Sequence, residues 1–209
     1  MIALNSLTYL RMFFRFLISI SCFLFLSSES KTQLNENPTV VVESRIAEES
    51  LNNDAYFIIE SLPDWIVDSQ LIVDNKIEHK YEVEARLNPF YLEEDFNGDH
   101  IMDLAVCIKE IKSGKLGFAI IHGKSFEVHI IGAGTKVEDS LSDDLTYIKI
   151  WKINREKEII GTDVDENGDL TETPAVILDA PSINIIKPEV GGGVIYWNGS
   201  EYVYLHQSC

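Results

Sequence analysis

The sequence predicts a mainly β fold, a twisted antiparallel sheet or half barrel with one or two short helices near the N-terminus of the domain. Short apolar runs separated by polar turns recur from residue 70 onward, as in antiparallel hairpins. Residues 80–87 alternate between apolar and charged side chains, which indicates a strand with one buried and one solvated face. Leu104–Ile108 is continuously apolar, which is typical of a strand covered on both faces.

Residues 1–30 have the pattern of a secretory signal peptide, in which a basic flank precedes an apolar run and small residues follow it. The apolar run, Phe16–Leu26, is too short to span a bilayer core of ~30 Å. Cleavage near Ser28 or Ser30 would leave a secreted or periplasmic chain with no transmembrane segment. The alternative is a lipoprotein anchored at Cys22, although the apolar run continues past that residue.

The rest of the chain is expected to divide into a polar linker or short helix at residues 31–50 and a single β-rich domain at residues 51–209. With 45% hydrophobic residues, the chain can build one core of ordinary size. The other elements expected within this domain are a strand at Ala55–Ile59, a turn or brief helical start at Pro63–Trp65, a turn at Asp74–Lys76, strands at Gly117–His122 and Phe126–Ile131 joined by a tight turn at Gly123–Lys124, a solvated acidic loop at Glu138–Asp144, and a strand at Tyr147–Ile153.

A polar loop directly before the continuous apolar run places oxygen atoms at two-residue intervals. Asp95, Asn97 and Asp99 occupy the first, third and fifth positions, the Ile101 carbonyl the seventh and Asp103 the ninth. A tight turn with this spacing brings alternate oxygens onto a hard cation. Because no Lys or Arg lies among them, the carboxylates would repel one another without such a cation. The spacing therefore predicts that these five residues bind Ca²⁺, the alternative being an acidic turn that simply closes a hairpin.

This loop resembles the D-x-[DN]-G-D-G-x-x-D-L motif of FG-GAP and VCBS-type repeats, in which calcium is bound between β-propeller strands. The matching residues are Asp95, Asn97, Gly98, Asp99, Asp103 and Leu104. His100 stands where the family usually has Gly, at a position whose backbone tends to be left-handed, and His is one of the few other residues that tolerate that region. The resemblance implies a local structure and a metal. The wider pattern resembles small uncharacterised secreted proteins of Gram-negative bacteria through Asn88–Phe90, Gly132–Gly134 and Trp197–Gly199, and it implies no activity.

The second half of the chain repeats parts of the first. Residues 165–169 and 175–178 align with residues 95–99 and 105–108 at one shift, and Gly193–Tyr202 aligns with Gly117–Phe126 at a slightly larger one. This pattern predicts two pseudo-repeats of loop, buried strand and hairpin, with chance similarity between β-meanders as the alternative. The second loop predicts a weaker metal site, because Thr173 replaces the closing carboxylate. Its ligands would be Asp163, Asp165, Asn167 and Asp169.

Charge limits the partners that the chain can bind. Its 17 Lys and Arg residues against 34 Asp and Glu residues give a net charge of −17 at pH 7. Such a surface repels phosphate backbones, so the sequence excludes nucleic acid as a partner. It suits a protein surrounded by divalent cations, or it serves to keep an exported protein soluble.

Catalytic motifs are missing from the sequence, which contains no G-x-S-x-G, H-E-x-x-H, P-loop or G-x-G-x-x-G pattern. Its five His residues lack the local spacing of a zinc site. Glu93 and Glu94 could form a general acid and base pair, but acidic residues are also expected beside a cation site. We therefore assign no catalytic residue and no cofactor besides Ca²⁺. The sequence favours a binding or surface-interaction module, with a periplasmic hydrolase or an inhibitor of one as the alternative.

Two further features leave alternatives open. One predicted hairpin carries the aromatic residues Tyr196, Trp197, Tyr202 and Tyr204. Tyr202 and Tyr204 share a face there and would form a stacking platform for a carbohydrate ligand, the alternative for these aromatics being ordinary cross-strand packing. A protein ligand is the other kind of partner that such a module would bind. Cys107 and Cys209 would form either a disulfide or, at Cys107, an inert buried thiol.

Overall fold

The computed structural model describes residues 56–137 and 141–207. Every strand pair within these residues is antiparallel, and the sheets are open. The predicted mainly β class is thereby confirmed, together with short helices at the N-terminal end of the described region. The predictions for residues 1–50, including the signal peptide, the lipoprotein anchor and the linker, lie outside the described residues. None of the helices in the described part of the chain is long and apolar enough to cross a membrane.

Two short helices precede fifteen strands in the described residues. Helix α1 covers residues 56–60 and α2 covers Asp64–Ser69. The strands are β1 (Ile72–Val73), β2 (Lys76–Ile77), β3 (Tyr81–Val83), β4 (Tyr91–Glu94), β5 (Asp103–Glu110), β6 (Leu116–Ile121), β7 (Val128–Gly132), β8 (Ile150–Asn154), β9 (Glu158–Ile159), β10 (Thr162–Val164), β11 (Leu170–Glu172), β12 (Val176–Ile177), β13 (Ser182–Lys187), β14 (Gly191–Trp197) and β15 (Tyr202–Gln207).

The strands form one large sheet, one smaller sheet and two short ribbons. The large sheet has the order β1-β2-β3-β5-β6-β7, and β4 also pairs with β5. β4 and β3 share one edge of β5, because β4 pairs with its N-terminal half and β3 with its C-terminal half. The smaller sheet has the order β15-β14-β13-β8. The ribbons are the β10–β11 hairpin and the β9–β12 pair.

Strand β5 is the centre of the packing. Leu104, Val106 and Ile108 face a cluster that includes Leu62 and Ile66 from the helical segment. Ala105 and Cys107, which alternate with them, face the cluster shared with the smaller sheet. All five residues of the run from Leu104 to Ile108 are 0% exposed, so the predicted strand with two covered faces is confirmed.

The two sheets pack face to face through large side chains. Phe118 of β6 stacks on Trp151 of β8, with ring centroids 4.8 Å apart and an interplanar angle of 16°. The Trp151 indole donates a hydrogen bond of 2.6 Å to the Pro89 carbonyl. The Arg86 guanidinium donates to the carbonyls of Leu145 and Ile148, and burial lowers its pKa. These contacts join the sheets on the side that also carries Cys107. The thiol of Cys107 is free and buried, and desolvation raises its pKa to about 12. The inert-thiol alternative therefore describes Cys107, while Cys209 lies outside the described residues.

Two local predictions differ from the structure, one in its element type and one in its burial. The strand predicted at Ala55–Ile59 is helical over its described residues, where Ile58 and Ile59 pack against the cluster that contains Leu62 and Ile66. The acidic stretch predicted as a solvated loop is a loop over its described residues, 141–144, but its Leu141 is 1% exposed and lies in the core. Nearby, the Asp144 carboxylate accepts a hydrogen bond from the Leu116 amide. Apolar side chains among the carboxylates therefore hold the described end of this loop against the fold.

The two predicted pseudo-repeats differ in their strands. Both contain a hairpin, β6–β7 in the first and β14–β15 in the second, which chance similarity between β-meanders would also give. The segment predicted to match the buried β5 is instead the two-residue β12, where Ile177 is 68% exposed. Pro174 and Pro181 lie on either side of this segment, and neither can donate an amide hydrogen to extend the pairing.

Candidate metal sites

The acidic loop folds around the carboxylate of Asp95. This side chain follows β4 and accepts hydrogen bonds from the amides of Gly98, Asp99 and His100 at 2.7, 3.1 and 2.9 Å. Farther along, the Asn97 side-chain oxygen accepts from the Asp99 amide, and the Asp99 carboxylate accepts from the Ile101 amide, each at 2.9 Å. The predicted side-chain ligands at the first, third and fifth positions thus hold the tight turn that the spacing requires.

Two residues of the loop have left-handed backbone conformations. Gly98 has φ of 82° and His100 has φ of 67°. The sixth position therefore has the backbone expected from the resemblance, although it carries His. The imidazole of His100 is almost fully exposed, 3.8 Å from the Asp95 carboxylate.

Asp103 closes the loop and is fully buried, with 0% exposure. One carboxylate oxygen accepts from the amides of Phe96 and Asn97 at 2.9 and 3.2 Å, and the other accepts from the Gly123 amide at 2.9 Å. Desolvation raises the pKa of Asp103 to about 6, because these amides offset only part of the cost of burying the charge. Asp103 also begins β5, so it joins the loop to the central strand and to the turn after β6.

The residues predicted to bind calcium keep acceptor capacity in this loop, but among the described residues the carboxylates of Asp95, Asp99 and Asp103 do not form a group whose oxygens all lie within 4.8 Å of one another. A carboxylate oxygen has more than one acceptor site, so hydrogen bonds from amides leave lone pairs for a cation. Calcium binds six to eight oxygens at 2.3–2.6 Å, so opposite ligands lie about 5 Å apart and the carboxylates need not crowd together. The ion would be held by Asp95, Asn97, Asp99, the Ile101 carbonyl and Asp103. It would supply a positive charge beside the buried carboxylate of Asp103, whose partners are otherwise amides.

The second acidic loop forms the tip of the β10–β11 hairpin. The Asp165 carboxylate accepts from the amides of Asn167 and Asp169 at 2.8 and 2.9 Å, much as Asp95 does in the first loop. These hydrogen bonds lower the pKa of Asp165. The hairpin tip is exposed, and Thr173, at the closing position, accepts from the Gly161 amide through its hydroxyl. The second loop therefore has the turn of the first without a buried closing carboxylate.

This difference predicts unequal effects of matched substitutions. Asp169→Ala should change the melting temperature in calcium by little, since its side chain is exposed and the second loop lacks a closing carboxylate. Asp99→Ala should lower it by several degrees through loss of calcium. Thermal unfolding followed by circular dichroism in the same calcium buffer compares the two variants. Equal losses would show that the two loops are ranked wrongly.

Asp103 also predicts how stability changes with pH when calcium is removed. Its folded pKa of about 6 exceeds the ordinary value of 3.8, so the folded state binds the proton more tightly than the unfolded state. In chelator, the free energy of unfolding of the wild type minus that of Asp103→Asn should fall as pH rises from about 4 to about 6. The expected fall is on the order of 3 kcal/mol, at ~1.4 kcal/mol per pKa unit. Chemical denaturation across this range measures it. A difference that stays constant with pH would contradict the raised pKa.

A second group of potential ligands, which no local spacing in the sequence indicates, lies on the β6–β7 hairpin. His122, Glu127 and His129 bring one ligand atom each within 4.8 Å of one another. Among the residues that the structure describes, this is the group of three His, Cys, Asp or Glu side chains whose ligand atoms come this close together. The His129 Nε2 lies 3.7 Å from a Glu127 carboxylate oxygen.

The hairpin register brings the two His residues together. Ile120 pairs with His129, and the His122 amide donates to the Glu127 carbonyl at 3.0 Å, so His122 lies diagonally across from His129 on the same face. The sequence prediction of a tight turn at Gly123–Lys124 would have paired His122 with Ser125 and moved His129 to the far end of the hairpin. The observed turn is longer and covers residues 123–126, closed by a 2.9 Å bond from the Phe126 amide to the His122 carbonyl.

Aromatic rings from the smaller sheet cover this cluster. The ring centroid of Trp197 lies 5.2 and 5.3 Å from those of His122 and His129. The Tyr202 hydroxyl lies 2.9 Å from Nε2 of His122. Burial lowers the pKa of both His residues and raises that of Tyr202. Tyr202, 5% exposed, therefore packs in the core as the packing alternative predicted, and it offers no face to a sugar ring.

Glu93 and Glu94 form separate structural contacts. The Glu93 carboxylate accepts a 3.1 Å hydrogen bond from the Trp65 indole, and Glu94 forms an ion pair with Arg155. Each carboxylate thus has its own partner on a different part of the chain. This arrangement gives no support to a paired general acid and base.

The fold and these sites define an open antiparallel β domain with an acidic loop and a His-rich hairpin. Compared with models of protein families, with curated proteins and with solved structures, the chain matches none. The resemblance to FG-GAP and VCBS-type repeats thus stays a prediction from the loop itself.

Proposed function

We propose that this chain is an exported calcium-binding β domain that acts as a binding or surface-interaction module, with calcium in a structural role. The observation that carries the proposal is the buried carboxylate of Asp103 at the junction of the acidic loop and β5. Its position supports a cation that stabilises the domain, because any ion held there is tied through the backbone to the most buried strand.

Calcium would act on the free energy of folding. Without a cation, the carboxylates of Asp95, Asp99 and Asp103 are held in one short loop, where their like charges oppose folding. When bound, the ion neutralises this repulsion. Binding would stabilise the folded state by ~2.7 kcal/mol at a hundredfold excess over Kd.

Exposed apolar side chains beside the loop support an interaction role. Ile101 and Met102 are 42% and 47% exposed, and Phe126, on the turn after β6, is 44% exposed. The loop and this turn lie close together, since a Cβ built on Gly123 would be 2.1 Å from the Met102 carbonyl oxygen. Apolar residues framed by carboxylates are a surface that a protein ligand could contact.

The second candidate is a periplasmic hydrolase or an inhibitor of one. The grouping of His122, Glu127 and His129 favours it, since two imidazoles and a carboxylate can serve as general bases or metal ligands. The acidic loop remains the better supported functional element because its spacing, turn geometry and buried closing carboxylate agree.

Calorimetric titration of the purified protein with calcium tests this proposal. We expect about one calcium site per chain with Kd near ~10⁻⁴ to 10⁻³ M, the range of extracellular modules. Asp99→Ala should abolish this binding, and the matched variant Asp169→Ala should retain it. Binding that survives Asp99→Ala, or its absence from the wild type, would overturn the proposal.

A further inference from the structure

We propose that His122, Glu127 and His129 form a zinc-binding site, separate from the acidic loop, in which water completes the coordination. This inference is independent of the proposed calcium function, because it rests on different residues and a different class of ligand atom. It would place two metals of different chemistry on neighbouring loops.

The geometry is close to that of a zinc centre. A tetrahedral ion with bonds of ~2.0–2.1 Å separates its ligand atoms by about 3.4 Å. Nε2 of His129 and a Glu127 oxygen are already 3.7 Å apart, and all three ligand atoms lie within 4.8 Å of one another. Small side-chain rotations would therefore bring the three atoms onto one ion, with the hairpin backbone unchanged.

The Nε2 atom of His129 is buried and has no hydrogen-bond partner among the described residues. A buried polar atom left unsatisfied destabilises the fold, and coordination would remove that cost. Because two of the three ligands are imidazoles, the set suits zinc and disfavours calcium, which prefers oxygen.

The surroundings hold the ligands in place and leave one side open. Nε2 of His122 hydrogen-bonds to the Tyr202 hydroxyl, and the Trp197 ring lies against both imidazoles. Such outer contacts orient metal-binding His residues. Glu127 is 63% exposed at its side chain, so the cluster borders solvent on the Glu127 side, while His122 and the Nε2 atom of His129 are buried. Three protein ligands with an open position are the arrangement of zinc sites that bind water or a substrate.

The test uses the purified full chain after removal of metals, titrated with zinc against a chromophoric chelator and, in parallel, with cobalt(II). We expect one zinc per chain and a visible cobalt spectrum of four-coordinate type. Glu127→Gln should weaken zinc binding at least tenfold, and His129→Gln should do the same. The matched control Glu201→Gln, on the exposed turn of the other hairpin, should leave it unchanged. Asp99→Ala should also leave zinc binding unchanged, although it removes the proposed calcium site.

Circular dichroism of each variant verifies that the fold is retained. Glu127 is the more decisive position, because its exposed side chain can be replaced without opening the core. Zinc binding that is unaffected by both Glu127→Gln and His129→Gln would overturn the site and leave the cluster as aromatic packing. Loss of zinc binding in Asp99→Ala would overturn it as well, because the ion would then belong to the acidic loop.

Discussion

Replacing Asp103 with Ala is expected to lower the free energy of unfolding by on the order of 4 kcal/mol in saturating calcium. The substitution removes the acceptor of three amides, those of Phe96, Asn97 and Gly123, inside a site that is fully buried. Each of these hydrogen bonds contributes about 1 kcal/mol, and the calcium ligand is lost with them. Chemical denaturation at neutral pH measures the loss.

Asp163→Ala is the matched control, because Asp163 is exposed and belongs to the weaker second site. We expect it to change the free energy of unfolding by less than about 0.5 kcal/mol, as for most surface substitutions. A loss below about 1 kcal/mol for Asp103→Ala would mean that the loop is not fastened to β5 through this carboxylate.

Phe118→Ala should be similarly damaging, with a loss of about 3–5 kcal/mol. The Phe118 side chain is 0% exposed and stacks on Trp151 between the two sheets, so its removal leaves a cavity at their interface. Phe126→Ala makes the same chemical change at a residue that is 44% exposed, and it should cost less than about 1 kcal/mol. Denaturant midpoints of the two variants give the comparison. Similar midpoints would contradict the face-to-face packing of the sheets through Phe118.

Local patterns predicted the centre of the fold. The run Leu104–Ile108 identified β5 because a strand covered on both faces needs apolar residues at every position, and both clusters do pack against it. The alternation before it indicated the burial of Tyr81 and Val83 in β3, but the strand ends at Val83 and Ala85, on the same predicted face, is exposed. The acidic loop was also readable from the sequence, since its turn depends on side chains and amides that are only a few residues apart.

What the sequence did not reveal depends on contacts between distant residues or on register. The helix at residues 56–60 is stabilised by packing on the large sheet, which a short apolar run does not indicate. The grouping of His122 with His129 depends on a turn two residues longer than the one predicted, and its cover comes from Trp197, far along the chain. The burial of Asp103 likewise depends on the turn after β6, through the Gly123 amide.

Thermal unfolding of the wild-type protein in saturating calcium and in chelator, in zinc-free buffer at neutral pH, tests most directly whether calcium is part of the fold. A stabilisation of ~2.7 kcal/mol corresponds to a rise of about 5–10 °C in melting temperature for a chain of this size. Magnesium should raise it much less, because its small octahedral shell fits this loop poorly. The melts of Asp99→Ala in calcium and in chelator should coincide. If the wild-type melts also coincide, calcium is not part of the fold and residues 95–103 are only an acidic turn.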